Sequence, residues 1–514
     1  MSGLRRAHPR VPASRRSRQA PPARPRAGGR PRPKGAKPRA GLLGLMLELY
    51  DAPFPELKGT MGRFAEGIAS ALADRVEVET ARVCLRAEEV EAALRRFEAS
   101  GCDLVLLVLL TYAPSLVSVP ALLSTPLPVV IFDTAKAPGL GPKMTGQDIM
   151  ENHGIHGVQD LANVLAREGR AFQLVVGHWE DRRALDELAS WAKAAQVAAK
   201  WRRLQVGLLG EPFPGMGDFQ VEFQALREAI GPEVAPLDTR DLDDCARKVR
   251  PAEVQAESTR LRSEFDIAPS LTDGLLSVSV RWSLALRRLV AERGLGALSM
   301  NFLAFRPEPG ARRGAREAGR PGARGAGAET VPFLGASQLM AEGIGYAGEG
   351  DVCCAALVAA SGELCGPASF TEMFCPDFAA GDVLMSHMGE CNLAMARPDR
   401  RPLLVAKRFV WAPIREPVVP VFSLAPGPAT LASLTAWRDS AWRLVVTEGE
   451  VVDTPPYPNL DSPYFKFRPA SALPEFLREY SLAGGTHHLA IVFGRRAAEF
   501  RKLADLSGIE CIQV

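Results

Sequence analysis

Several common signatures of function are missing from this chain. It holds no GxxxxGK[ST] phosphate loop, and no GxGxxG opens a helix after the first strand-like run. The longest run of large aliphatic residues, Leu104 to Leu110, is far short of the ~20 residues that cross a bilayer, so no membrane segment is expected. No CxxC pair is present either. The nine cysteines are odd in number and scattered, Cys353 and Cys354 are direct neighbours, and no secretory signal precedes them. A disulfide framework or a zinc motif is therefore not expected, and a reducing, cytoplasmic setting is the default.

One region is strongly basic with no acid at all. Residues 1–40 hold thirteen Arg and Lys and eight prolines but no Asp or Glu, leaving 49 basic against 59 acidic residues in the rest of the chain. The net charge of +3 thus hides an acidic body. Such an arm would suit nucleic acid or organellar targeting. Its few large apolar side chains read instead as a disordered basic extension over 1–41, with nucleic acid not expected as a partner. Residues 306–328, with six arginines among glycines and alanines, read as a second disordered insertion.

What remains has the composition of a globular protein, 47% hydrophobic and 24% charged, and its 514 residues exceed what one core can hold. From Leu42 the pattern alternates strand-like runs (Leu42 to Leu49, Val76 to Leu85, Asp103 to Thr111, Val129 to Asp133, Gln173 to Gly177) with helical periodicity. Repeated βα units predict a parallel sheet covered by helices over 42–183. A second cycle opens at Val206 to Gly210 and predicts another such domain over 184–367. Beyond it the strand-like segments Val383 to Ser386, Leu403 to Val410, Trp442 to Glu448 and His488 to Phe493 predict a β-rich, barrel-like domain over 368–514. The fold class is α/β: two successive Rossmann-like parallel-sheet domains and a β-rich barrel.

The residues that could carry chemistry concentrate in Glu342 to Asn392. Glu349 lies in GEGD, Glu372 in SFTEMF and His387 in SHMGEC, three potential ligands for one hard or borderline cation. A fourth candidate is His487 or His488 in GGTHH. Five of the seven histidines, His153 and His156 in ENHGIHG together with these three, sit beside glycines. One such histidine or glutamate alone reads as structural or solvated; the set points to a metal site. Two carboxylates and two imidazoles suit Mn2+ or Co2+ and leave room for a chelating hydroxy-carbonyl, whose α-proton a neighbouring glutamate could remove.

The run GIGYAGEGDVCCAAL, followed by SFTEMF, SHMGEC and LAGGTHH, resembles the L-arabinose isomerase and L-fucose isomerase superfamily, specifically its arabinose isomerase branch. ENHGIHG, VVGHWED and MNF at Met300 to Phe302 are similar to further segments of that branch. The resemblance implies that Glu349 and Glu372 are both metal ligands and the acid/base pair, with His387 and His488 completing a Mn2+ shell. It implies that His487, His156, His153, Phe302 and Tyr50 face the sugar, with the N-terminal domain supplied by an adjacent subunit of a homo-oligomer, a trimer or hexamer. The implied activity is metal-dependent aldose–ketose isomerisation of a free pentose or deoxyhexose by enediol proton transfer. The alternative is a non-catalytic sugar-binding or regulatory relative, which would have little need for both glutamates. Departures fall on sugar-facing segments: Leu47 and Glu48 replace the branch's usual pair before Leu49 and Tyr50, and His153 stands where the branch has a glutamine.

Overall fold

The structure, a computed structural model, describes residues 35–305 and 329–514. The first 34 residues and the 306–328 segment expected as an insertion lie outside the described residues. Residues 39–41, expected in the extension, already belong to the first strand, Arg39–Leu45, because RAGLLGL is buried on both faces. This strand (β1) and Leu104–Leu109 (β3), LVLLVL, have the unbroken apolar character of interior parallel strands. With Glu77–Thr80 (β2), Val129–Asp133 (β4) and Gln173–Val176 (β5) they form a parallel sheet in the order β2-β1-β3-β4-β5. β2 is shorter than the Val76 to Leu85 expected: after Thr80 the Ala81 N–H still bonds the Leu42 carbonyl, the ladder is then interrupted, and pairing with β1 resumes at the Leu45–Cys84 bridge.

The second parallel sheet contains Gln205–Leu209 (β6), Glu233–Leu237 (β7), Ala297–Met300 (β9) and Gly345–Gly348 (β10), ordered β10-β9-β6-β7. Apolar patterning does not single out β7, since EVAPL includes a proline and buries only Leu237; it is an edge strand, where proline is tolerated. Helix Arg182–Trp201 serves both sheets. Its Leu185, Leu188 and Trp191 join the first core, and its Ala194, Val197 and Trp201 join the second.

Ala368–Asp377 (β11), Asp382–Ser386 (β12), Gly427–Ala436 (β15), Trp442–Val452 (β16), Tyr464–Pro469 (β17) and His488–Phe493 (β18) form a closed antiparallel barrel, β15-β18-β11-β12-β17-β16, sealed by β15 pairing with β16. Glu510–Gln513 (β19) adds in parallel to β16. The Leu403 to Val410 segment is not a barrel strand. Only Leu403–Ala406 (β13) is extended, pairing with Val418–Val421 (β14) and with Asp266–Ile267 (β8) in a separate small sheet. The Lys407 N–H makes the last ladder bond, to the Pro417 carbonyl at 2.9 Å, while its side chain bonds Ser462 Oγ at 2.7 Å, and Pro413 lies in the segment that follows.

Helix Val352–Cys365 joins the second sheet to the barrel. It is apolar almost all round, as a helix must be when it is packed on every side, and its Val352, Cys353, Ala355 and Leu357 belong to the core shared by both. Its N-terminus follows β10 directly, so the carboxyl end of the parallel sheet and the wall of the barrel meet at residues 348–351.

Candidate active site

The site is built where those two surfaces meet. Glu349 leaves β10 with φ +59, a left-handed conformation that costs a non-glycine residue roughly 1–2 kcal/mol. The glycines beside it cannot be replaced freely. A Cβ on Gly348 would stand 2.6 Å from His387 Cε1, and one on Gly350, at φ +85, would stand 2.6 Å from Pro212 Cα. The Glu349 carbonyl accepts the Phe213 N–H at 2.8 Å.

The barrel supplies the other groups by register. Glu372 on β11 is directly opposite His488 on β18 and opposite Ser386 on β12, and His387 follows Ser386. Facing residues of an antiparallel pair point to the same side, so Glu372 and His488 share a face. A bulge between Met373 and Cys375 follows immediately. Two overlapping groups result: Glu349, His487 and His488 present ligand atoms within 4.8 Å of one another, and so do Glu372, His387 and His488. His488 is common to both.

Each histidine is backed by a carboxylate. Asp351 caps helix Val352–Cys365 by accepting the Cys354 N–H through Oδ1 at 2.8 Å, while its Oδ2 lies 3.1 Å from His488 Nδ1. Glu390, 1% exposed, accepts the Tyr346 hydroxyl at 3.0 Å and the Gly389 N–H at 2.7 Å, and its Oε2 lies 3.2 Å from His387 Nδ1. Asp218 accepts the backbone N–H of His487 at 3.0 Å and faces its Nδ1 at 2.6 Å. Phe219 stacks on the His488 ring, centroids 5.1 Å apart and planes 10° apart.

Burial opposes charge on His488, but the Asp351 carboxylate bonded to its Nδ1 and the Glu349 carboxylate facing its Nε2 outweigh it and lift its pKa to about 9. Burial would raise Glu349, yet His488 and the other nearby imidazoles hold it below the usual carboxylate range. Asp218 is likewise pushed up by burial and pulled down further by His487, to about 2.

These residues fit a divalent cation. His488 Nε2 is buried and has no hydrogen-bond partner, 3.6 Å from Glu349 Oε2. A cation there would compete with the proton that the carboxylates favour on that ring. Either group, Glu349 with His487 and His488 or Glu372 with His387 and His488, offers the oxygen and imidazole donors that could hold such a cation.

Of the other predicted residues, Phe302 is buried beside the site, its ring 5.6 Å from that of Phe213. Tyr50, His153 and His156 are not brought to the metal-ligand candidates. They gather at the carboxyl end of the first sheet, with Tyr50 Oη 3.1 Å from His153 Nε2, His153 and His156 ring centroids 5.1 Å apart, and Tyr112 stacked on His156 at 4.6 Å. Among the described residues, neither a hydrogen bond nor a ring contact links this cluster to Glu349, Glu372, His387 or His488. Burial and the neighbouring His156 keep His153 on the neutral side of its ordinary pKa.

Sequence reasoning omits Asp218, Asp351, Glu390 and Phe219. Asp351 and Glu390 carry a local signal, two residues after Glu349 and three after His387. Asp218 carries none, for it reaches His487 across 269 residues of chain.

The chain is similar to known proteins over nearly all of this architecture. Residues 55–203 match the L-arabinose isomerase N-terminal domain, 221–365 the central domain and 367–510 the C-terminal domain. The L-arabinose isomerase of Nocardioides sp. is 27% identical over 482 residues, covering 90% of this chain and 91% of the relative. That of Acidothermus cellulolyticus is 26% identical over 503 residues, covering 91% and 95%, and that of Geobacillus thermodenitrificans 27% over 450, covering 85% and 84%. With its three successive domains matched and its two parallel sheets leading into a closed barrel, the chain belongs to the L-arabinose isomerase family.

Proposed function

We propose that the protein is a divalent-cation-dependent aldose–ketose isomerase acting on a free pentose or 6-deoxyhexose resembling L-arabinose. The observation that carries this reading is the pair of ligand groups sharing His488, each with its own glutamate. A sugar-binding relative without catalysis would need no second carboxylate. Glu349 and Glu372 suit a proton transfer between C1 and C2. One takes the proton from C2 as the C1 carbonyl oxygen gains the electron pair; the other moves the hydroxyl proton from O2 towards O1. The proton held by the first then returns to C1, leaving the carbonyl at C2. When bound, Mn2+ or Co2+ would supply Lewis acidity to the two oxygens as charge develops on them. The chain's own part is to hold both carboxylates on facing elements, the turn after β10 and the β11 strand.

The sugar-facing side is proposed to come from another copy of the chain, in a homotrimer or hexamer. Tyr50, His153 and His156 cluster with the buried His153 Nδ1 left without a hydrogen-bond partner, and Leu49, Phe54, Ile149 and Ile155 around them are exposed large apolar side chains. Such a rim suits burial against a second copy. All nine cysteines are unpaired thiols, as suits work in the cytoplasm, and among the described residues no helix is long and apolar enough to cross a membrane.

The test is a screen of aldopentoses and 6-deoxyaldohexoses with Mn2+, following ketose formation. Ketose from at least one sugar, lost in Glu349→Gln while the circular dichroism spectrum is unchanged, is the expected result. Sugar binding with no ketose from any of them would establish the non-catalytic alternative.

A further inference from the structure

The loop that leaves β6, residues 210–220, belongs to the central sheet but reaches three of the site residues. Phe213 donates its N–H to the Glu349 carbonyl, Phe219 stacks on His488, and Asp218 holds His487. The last contact sets the chemistry of His487. A carboxylate only accepts, so the 2.6 Å contact engages Nδ1 as the donor and holds the ring by that nitrogen. The second bond, from the His487 backbone N–H to the same oxygen at 3.0 Å, fixes Asp218 relative to the ring. Among the described residues, nothing bonds His487 Nε2, and the ring lies with Glu349 and His488 in one ligand group.

We infer that Asp218 is a positioning residue, which orients His487 so that Nε2 accepts a hydrogen bond from a substrate hydroxyl beside the cation site. The inference rests on the isomerase reading for its substrate but not for its test, which can be made by binding alone. In that reading the cation sits on Glu349, Glu372, His387 and His488, and the Asp218–His487 pair serves the sugar. Asp218 and His487 are each about one-third exposed, so the loop can lose this contact without opening a core.

The probe is L-arabinitol, a linear pentitol, titrated into the full-length, Mn2+-loaded protein by calorimetry, with Mn2+ affinity measured separately. Asp218→Ala and Asp218→Asn are expected to weaken pentitol binding about tenfold or more while Mn2+ affinity changes less than about threefold. Asp218→Glu recovers part of the loss. In a His487→Ala background Asp218→Ala causes no further change, the signature of one residue acting through the other. Unchanged pentitol binding in both Asp218 variants would overturn the inference, as would an equal loss in the His487→Ala background or a parallel fall in Mn2+ affinity. Absence of pentitol binding by the wild-type protein would overturn it too. Failure of the wild type to form any ketose, with the pentitol results as expected, would instead count against the isomerase reading alone.

Discussion

Asp351 shows how one side chain can serve fold and site together. Its two oxygens cap a buried helix and orient His488. Asp351→Ala is expected to lower stability by about 1 kcal/mol through the lost cap. It should also weaken Mn2+ binding about 10- to 100-fold through the released imidazole. Asp351→Asn can still cap but is a poorer partner for the ring. Denaturant unfolding should therefore show most of the stability restored, and metal titration little of the affinity. Glu349, His387 and His488 stand out in the sequence because each sits in a short glycine-marked motif, and Glu372 stands out only through the resemblance of SFTEMF. Their supporting carboxylates stand out less, since a capping aspartate and a solvated one read alike until the histidine is in place.

At the scale of the element, a strained turn and a misplaced charge give separate predictions. Gly350 combines φ +85 with backbone contact at 2.6 Å, and neither can relax independently. Gly350→Ala is expected to destabilise by about 2–3 kcal/mol, read as a shift of the urea midpoint. Asp243, on helix Thr239–Arg247, is 9% exposed and its Oδ1 has no hydrogen-bond partner. Burial pushes its pKa up to about 6, against the pull of Arg247. A carboxyl raised in the folded state costs nothing below its unfolded pKa of ~4, and its cost is complete above the folded one. Stability from this group therefore falls as pH rises from about 4 to about 6. Asp243→Asn should gain about 1 kcal/mol at pH 7, and the gain should vanish in thermal melts below pH 4. Long buried strands such as β1 and β3 are plain in the sequence because both faces are apolar. Edge strands such as β7, and the true end of β13, are not, because neighbours rather than composition decide where pairing stops.

For the whole molecule, the separation of Tyr50, His153 and His156 from the ligand groups is the central geometric fact. Periodicity reveals two parallel sheets and a barrel, but no pattern in a chain says which surfaces meet across copies. If the sugar is held between subunits, Glu349→Gln and His156→Ala proteins, each inactive alone, will complement when dissociated and reassembled together. Random mixing in equal amounts should restore about a quarter of wild-type turnover, because that fraction of sites draws intact groups from both neighbours. No recovery in verified mixed oligomers would place the site within one chain.

The most direct test of the account is ketose formation by the full-length protein before EDTA treatment, after it, and after addition of Mn2+ or Co2+. Turnover of at least one aldopentose or 6-deoxyaldohexose is expected, lost on chelation and returning with about one cation per subunit. Turnover that survives complete removal of the cation, or a cation-loaded protein that forms no ketose from any of these sugars, would contradict it.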